Sequence, residues 1–170
     1  EAPEVCDGEQ LGSKTCVILG YFDGNPSCME TCTEFDEATC NLPTSNVILN
    51  EVSSSDDDPI ELVNTGANSV TLAGWQLTDD NPEEEGHLFE FPEGTTLEAG
   101  AYLTLIKGAH HTFGLGNKDG LFLYNEEGLL MDQLVFSNGD ATLSYCRTPD
   151  STGPFAPCSD LSIGSANPEL

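Results

Sequence analysis

From Val47 onward the chain repeats one pattern, in which short runs rich in Val, Ile, Leu, Thr and aromatic residues are separated by Gly, Pro, Asn and Asp. That punctuation constrains the fold more than any other feature. Such runs between turn residues make antiparallel strands, whereas helices need longer stretches with an apolar period near 3.6. The spacing predicts strands at 47–52, 59–64, 69–78, 87–91, 101–107, 120–125, 129–136 and 142–147. In Tyr102-Leu103-Thr104-Leu105-Ile106 and Asp132-Gln133-Leu134-Val135-Phe136 one face is largely apolar, as expected of a half-buried strand. Asn125-Glu126-Glu127-Gly128 reads as a hairpin loop and Phe91-Pro92-Glu93-Gly94 as a tight turn. No convincing amphipathic helix is present, so the expected class is all-β, an antiparallel two-sheet sandwich.

The first forty residues are different in kind. Five of the seven cysteines, Cys6, Cys16, Cys28, Cys32 and Cys40, lie there in a Gly-, Asp- and Glu-rich stretch without sustained periodicity. A segment of this composition needs crosslinks to hold a shape. The cysteine density implies an oxidising compartment, outside the cell or at its surface. Glu1-Ala2-Pro3-Glu4-Val5 has neither a basic nor an apolar leader region, so the expectation is that a signal peptide has been removed or is not part of this sequence. The expected divisions are a disulfide-stabilised segment over 1–40, a polar linker over 41–46 and the sandwich over 47–170.

Charge excludes two classes of partner. The formal net charge is −26, with only Lys14, Lys107, Lys118 and Arg147 as cations. Nucleic-acid affinity rests on cationic neutralisation of phosphates, so nucleic acid is not an expected partner. An anionic lipid leaflet would repel the chain for the same reason, and no apolar run approaches the roughly 20 residues of a spanning helix.

The ordered fragments Ile48-Leu49-Asn50-Glu51-Val52, Ile60-Glu61-Leu62-Val63-Asn64, Val70-Thr71-Leu72-Ala73-Gly74-Trp75-Gln76-Leu77, Phe89-Glu90-Phe91-Pro92-Glu93-Gly94-Thr95 and Leu97-Glu98-Ala99-Gly100-Ala101-Tyr102-Leu103 resemble the lamin tail domain of bacterial secreted proteins. Leu123-Tyr124-Asn125, Gly128, Asp132, Ser144-Tyr145, Arg147, Pro149-Asp150 and Gly164-Ser165-Ala166-Asn167-Pro168 continue the same order, so the resemblance spans about 47–168. It implies an immunoglobulin-like sandwich and an accessory or binding role. A filament role does not transfer, since the chain has no coiled-coil heptads. The sequence departs from the family pattern in carrying Cys146 and Cys158, whose pairing would staple the last strand to the C-terminal segment. Cys6-Asp7-Gly8, Leu11-Gly12, Thr15-Cys16, Leu19-Gly20, Cys28, Cys32, Phe35-Asp36 and Cys40 separately resemble a bacterial cysteine-rich repeat. Such repeats usually carry one further cysteine upstream. On that resemblance the expected bridges are Cys16–Cys28 and Cys32–Cys40, leaving Cys6 unpaired and open to a covalent partner.

Several groups have chemistry to offer. Cys16, Cys28, Cys32 and Cys40 could ligate zinc, but the oxidising compartment and irregular intervals favour disulfides. The acidic runs Asp56-Asp57-Asp58, Asp79-Asp80 with Glu83-Glu84-Glu85, and Glu126-Glu127 are expected at one pole of the sandwich. Such a pole is either solvated or screened by a hard cation such as Ca²⁺, with Asp56, Asp57, Asp58, Asp79, Asp80 and Glu83 as ligands. His110-His111 is expected in a solvated loop, and His87 facing solvent or a backbone acceptor. Trp75 reads as core packing rather than a stacking platform. Asn50, Glu51, Glu61 and Asp132 are polar residues among apolar ones, and buried carboxylates among them would need a partner such as Arg147. No Gly-x-Ser-x-Gly, His-Glu-x-x-His or Walker motif occurs. The expected function is a non-catalytic extracellular interaction or adhesion module for a protein or surface ligand. The alternatives are a calcium- or carbohydrate-binding accessory domain of a secreted hydrolase, a small hydrolase, and an inert spacer.

Overall fold

A computed structural model of the chain describes residues 5–8 and 10–169. Glu1–Glu4, in which leader features were sought, lie outside the described residues. The N-terminal segment holds two small hairpin-like sheets: β1 (Asp23–Gly24) pairs with β4 (Cys40–Asn41), and β2 (Ser27–Cys28) with β3 (Phe35–Asp36). The sandwich follows in β5 (Val47–Val52), β6 (Ile60–Asn64), β7 (Val70–Thr71), β8 (Gln76–Thr78), β9 (Leu88–Glu90) and β10 (Thr96–Leu97). It is completed by β11 (Tyr102–Leu105), β12 (Asp119–Tyr124), β13 (Leu130–Phe136), β14 (Tyr145–Arg147) and β15 (Phe155–Pro157).

One sheet has the order β11-β6-β5-β14-β15 and the facing sheet β13-β12-β8-β9, all pairings antiparallel. The sandwich expected from strand spacing is therefore the fold. Alternation places Leu62, Leu105 and Val52 from one sheet against Leu77, Leu121, Leu123 and Leu134 from the other. Trp75 and Phe136 join the same core. The ring of Tyr145 lies between those of Phe136 and Phe155, with centroids 6.1 and 5.6 Å away. The single strand expected over 69–78 is split into β7 and β8 because the chain turns at Gly74, whose φ is 76°. The Trp75 amide closes that turn by donating to Leu72 O at 2.9 Å.

The expected bridges in the N-terminal segment are corrected: the disulfides are Cys6–Cys28 and Cys16–Cys40, with Cys146–Cys158 in the sandwich. Local backbone geometry explains the change. Cys32 lies in the turn between β2 and β3 with φ 57°, its amide donating to Met29 O, whereas Cys40 belongs to the separate β1–β4 pair. The Val5 amide donates to Cys32 O at 2.8 Å, which holds Val5 and Cys6 against this turn, and Cys6 bridges Cys28. Cys40 sits opposite Gly24, the glycine against which Cys16 Sγ packs. Cys6 is thus bridged within the chain and offers no thiol to a covalent partner.

The segment closes one side of the sandwich. Gly20 O accepts from the Phe155 amide at 2.8 Å, on the edge strand β15, and Phe22 O accepts from Gln133 Nε2 at 2.9 Å, on the edge strand β13. A Cβ on Gly20 would lie 2.1 Å from Phe155 O, so only glycine allows this approach. The opposite side, bounded by the edge strands β9 and β11, has no strand across it among the described residues.

Candidate functional site

The polar residues embedded in the strands form two clusters. Between the sheets, Asp132 and Arg147 are buried together, with Arg147 Nη2 2.9 Å from both carboxylate oxygens. Arg147 also donates from Nε to Leu49 O and from Nη1 to Gly153 O, and its guanidinium lies 4.3 Å from the Phe155 ring centroid. Asp132 accepts in turn from the amides of Leu49 and Gln133. Burial pushes the Asp132 carboxyl above its ordinary value, while the guanidinium and the two amides pull it back. Every buried charge here has partners on both sides, which is what a structural pair requires.

The second cluster covers the outer face of the β5–β6 sheet. A bulge at Asn50 breaks the alternation of β5 and sets Glu51 directly opposite Glu61. Like charges in that position repel. The repulsion is met by the C-terminal segment, which aims donors at both carboxylates. The Ser162 amide donates to both Glu51 oxygens at 3.0 and 3.1 Å and its hydroxyl at 2.8 Å, and Ser144 Oγ adds a third donor. Gly164 N and Asn50 Nδ2 donate to Glu61. Burial drives the Glu61 carboxyl up to about 7, against the pull of the Asn50 and Gly164 donors and with the help of nearby Glu51 and Asp150.

Asp150 completes this cluster, although sequence reasoning assigned it no site. It accepts from Asn50 Nδ2, Asn167 N, Tyr102 Oη and Ser151 Oγ at 2.8–3.0 Å. Burial alone would raise its carboxyl, but these donors together hold it below the ordinary value. Asn167 is equally central, donating to Asn50 O and Arg147 O. A polar Asn-Pro near the end of the chain, after a run of Gly and Ser, gave no local signal that it is buried.

The acidic runs do not share one pole. β8 runs antiparallel to β12 with Thr78 opposite Phe122, so Asp79 and Asp80 lie near Asp119 at the start of β12. Glu126 sits beyond the other end of β12, beside Gly74, which corrects the expectation of a single pole. Asp79, Asp80 and Asp119 offer carboxylate oxygens within 4.8 Å of one another. Asp119 was not foreseen. Its carboxyl is raised by burial, although the Gly116 and Gly120 amides oppose the rise. Asp58 stands apart from this cluster, its carboxylate paired with Lys107 Nζ at 3.0 Å, while Asp56, Asp57 and Glu83 are exposed. The six residues expected around one cation therefore do not converge, and only Asp79 and Asp80 of that set come together.

His110 is exposed in a turn as expected, whereas the other two histidines differ from expectation. His87 Nδ1 meets Asp79 Oδ2 at 2.5 Å. His111 is buried, with Nδ1 3.0 Å from Phe113 O and Nε2 3.1 Å from Asp58 O, so it pins two loops together instead of facing solvent. Burial lowers its pKa, and the two carbonyls partly offset that effect.

Across the open side, Phe89 and Phe91 from one sheet face Leu103 and Leu105 from the other, and with Pro92, Thr95, Ala109 and His110 they line a groove of about 350 Å³. The two phenylalanine rings meet edge to face at 4.9 Å. This is a largely apolar surface at a sheet boundary, with Thr95 and His110 as the polar side chains in its lining.

No helix among the described residues is long and apolar enough to cross a membrane. The three disulfides are consistent with an extracellular location. No curated protein matches the chain. Residues 41–142 match the Lamin Tail Domain family, whose members have an immunoglobulin-like fold, generally serve in interactions and are typically non-catalytic. The chain belongs to the lamin tail domain family.

Proposed function

We propose that this chain is a non-catalytic extracellular interaction module, of the type attached to bacterial secreted or surface proteins, with the cysteine-rich segment as a brace for the sandwich. The observation that carries the reading is the use of the buried charges. Glu51, Glu61, Asp132, Asp150 and Arg147 are all engaged by internal donors or acceptors that hold the C-terminal segment and the two sheets, so they serve rigidity rather than chemistry. A rigid sandwich that displays its edges and loops suits a protein or surface ligand. The test is site-specific photo-crosslinking of the oxidised chain in the extracellular medium, from Leu88, Leu129 or Leu161, all of which are exposed. A saturable adduct of one mass from any of these positions is expected. Absence of adducts from all three, together with a hydrolytic activity that Glu61→Gln abolishes, would overturn the proposal.

A second reading, a calcium-dependent accessory domain, is favoured by the approach of Asp79, Asp80 and Asp119. Three carboxylates suit a hard cation, although His87 already engages Asp79. Calcium titration at low salt tests it: heat of binding and a rise in Tm, both lost in Asp119→Asn, support the reading, and no response to calcium removes it. The carbohydrate version has less to stand on, because Trp75 is buried in the core.

A further inference from the structure

We propose that the open side of the sandwich takes an added β-strand from a basic partner, paired to the free edge of β11 with its aliphatic side chains in the groove. The proposal rests on the interaction-module reading and names the surface and partner class for it.

Three observations converge on this side. The first is backbone polarity. The Asn64 amide donates to Ala101 O, which makes 101/64, and by alternation 103/62 and 105/60, the hydrogen-bonded pairs of the β6–β11 ladder. The N–H and C=O groups of Tyr102 and Thr104 then point away from β6, and among the described residues β11 has no other strand neighbour. The second is the groove itself. Leu103 and Leu105 share the inner face with Phe89 and Phe91, so a strand beside β11 would place every second side chain over this apolar surface. The other pair of edges, β13 and β15, is occupied by the cysteine-rich segment, so an open edge is not a general feature of this sandwich.

The third observation is charge, and it selects the occupant. Asp56 and Asp57 are exposed and line a hollow with Thr104, on the outer face of β11, and the chain as a whole carries −26. A second copy would bring the same charge to the edge, whereas a strand alternating Lys or Arg with Val or Leu meets acidic flanks with its outward face and the groove with its inward face. Edge strands that avoid pairing carry inward charges, prolines or bulges; β11 has none of these along Tyr102-Leu103-Thr104-Leu105.

The experiment titrates the oxidised full chain with a fluorescent octapeptide alternating Lys and Val, read by anisotropy. Three companion probes are the Lys/Ser version and two versions N-methylated at alternate residues, one in each phase. Saturable binding is expected, weakened about tenfold or more by Lys/Ser, by one phase of N-methylation and by Thr104→Pro. Thr104→Pro removes an outward N–H, and the N-methylated probes make the same test on unaltered protein. Equal binding of all four probes would reduce the effect to charge attraction and overturn the proposal. Self-association of the chain at high salt, lost in Thr104→Pro, would overturn it in favour of a second copy. No binding of the Lys/Val probe, with photo-adducts from Leu129 or Leu161 only, would overturn this edge while leaving the interaction-module reading intact.

Discussion

Arg147 ties three parts of the fold together: it grips Asp132 on the facing sheet, Leu49 O on the same sheet and Gly153 O in the following turn. Truncating one member of a buried pair strands the other, at a typical cost of about 3–5 kcal/mol. Arg147→Met is therefore expected to lower unfolding free energy in urea by about that amount, and Arg147→Met with Asp132→Leu by clearly less. Glu61 gives a prediction with a sign. Its folded-state value is raised from 4.5 to about 7, so the folded chain holds the proton more tightly than the unfolded one. The stabilisation is complete below the unfolded value and is lost as pH rises through the folded one, with an upper bound of about 3 kcal/mol. In urea unfolding between about pH 4.5 and 7 Glu61 contributes a fall in stability as pH rises, opposed by the lowered His111, and Glu61→Gln should shift the slope in the positive direction. The raised Asp132 remains in the variant, so part of the slope persists. An unchanged slope in Glu61→Gln would show that Glu61 is not the titrating group.

The C-terminal segment is the element on which the outer carboxylates depend. Cys146–Cys158 anchors it across a separation of 12 residues, just before Ser162 and Gly164 reach Glu51 and Glu61. Closing a loop of that length contributes about 3 kcal/mol through the unfolded state. Cys146→Ala with Cys158→Ala should lose about that much in urea unfolding and should also expose the segment to limited proteolysis, which a purely unfolded-state effect would not do. Strand spacing made most of the sandwich legible, because Val, Ile and Leu at every second position carry their burial in the sequence. Three features were not legible. Gly74 inside an apolar run hid a turn, the bulge at Asn50 depends on the partner strand β6, and β15 is only the three residues Phe155–Pro157, ending in a proline. The N-terminal bridges were misread for a related reason: Cys32 lies in the β2–β3 turn and Cys40 in the separate β1–β4 pair, and five cysteines without periodic strands do not encode that separation.

At the scale of the whole molecule, strand direction decided what sequence could not. Asp58 and Asp79 follow the first and third of the expected strands and Glu126 the sixth, which runs the other way, and the antiparallel pairing of β8 with β12 sets Glu126 at the far end of β12 from Asp79. The same topology leaves the sandwich asymmetric, with one side braced by the cysteine-rich segment and the other bounded by free edges. That asymmetry is the centre of the account. NMR-detected amide hydrogen exchange on the oxidised and reduced chain reads it residue by residue. The account predicts fast exchange at Tyr102 and Thr104 beside slow exchange at Leu103 and Leu105, and protection at Phe155 that falls when the disulfides are reduced and Gly20 is released. Protection at Tyr102 and Thr104 equal to that of Leu103, or protection at Phe155 indifferent to reduction, would contradict it.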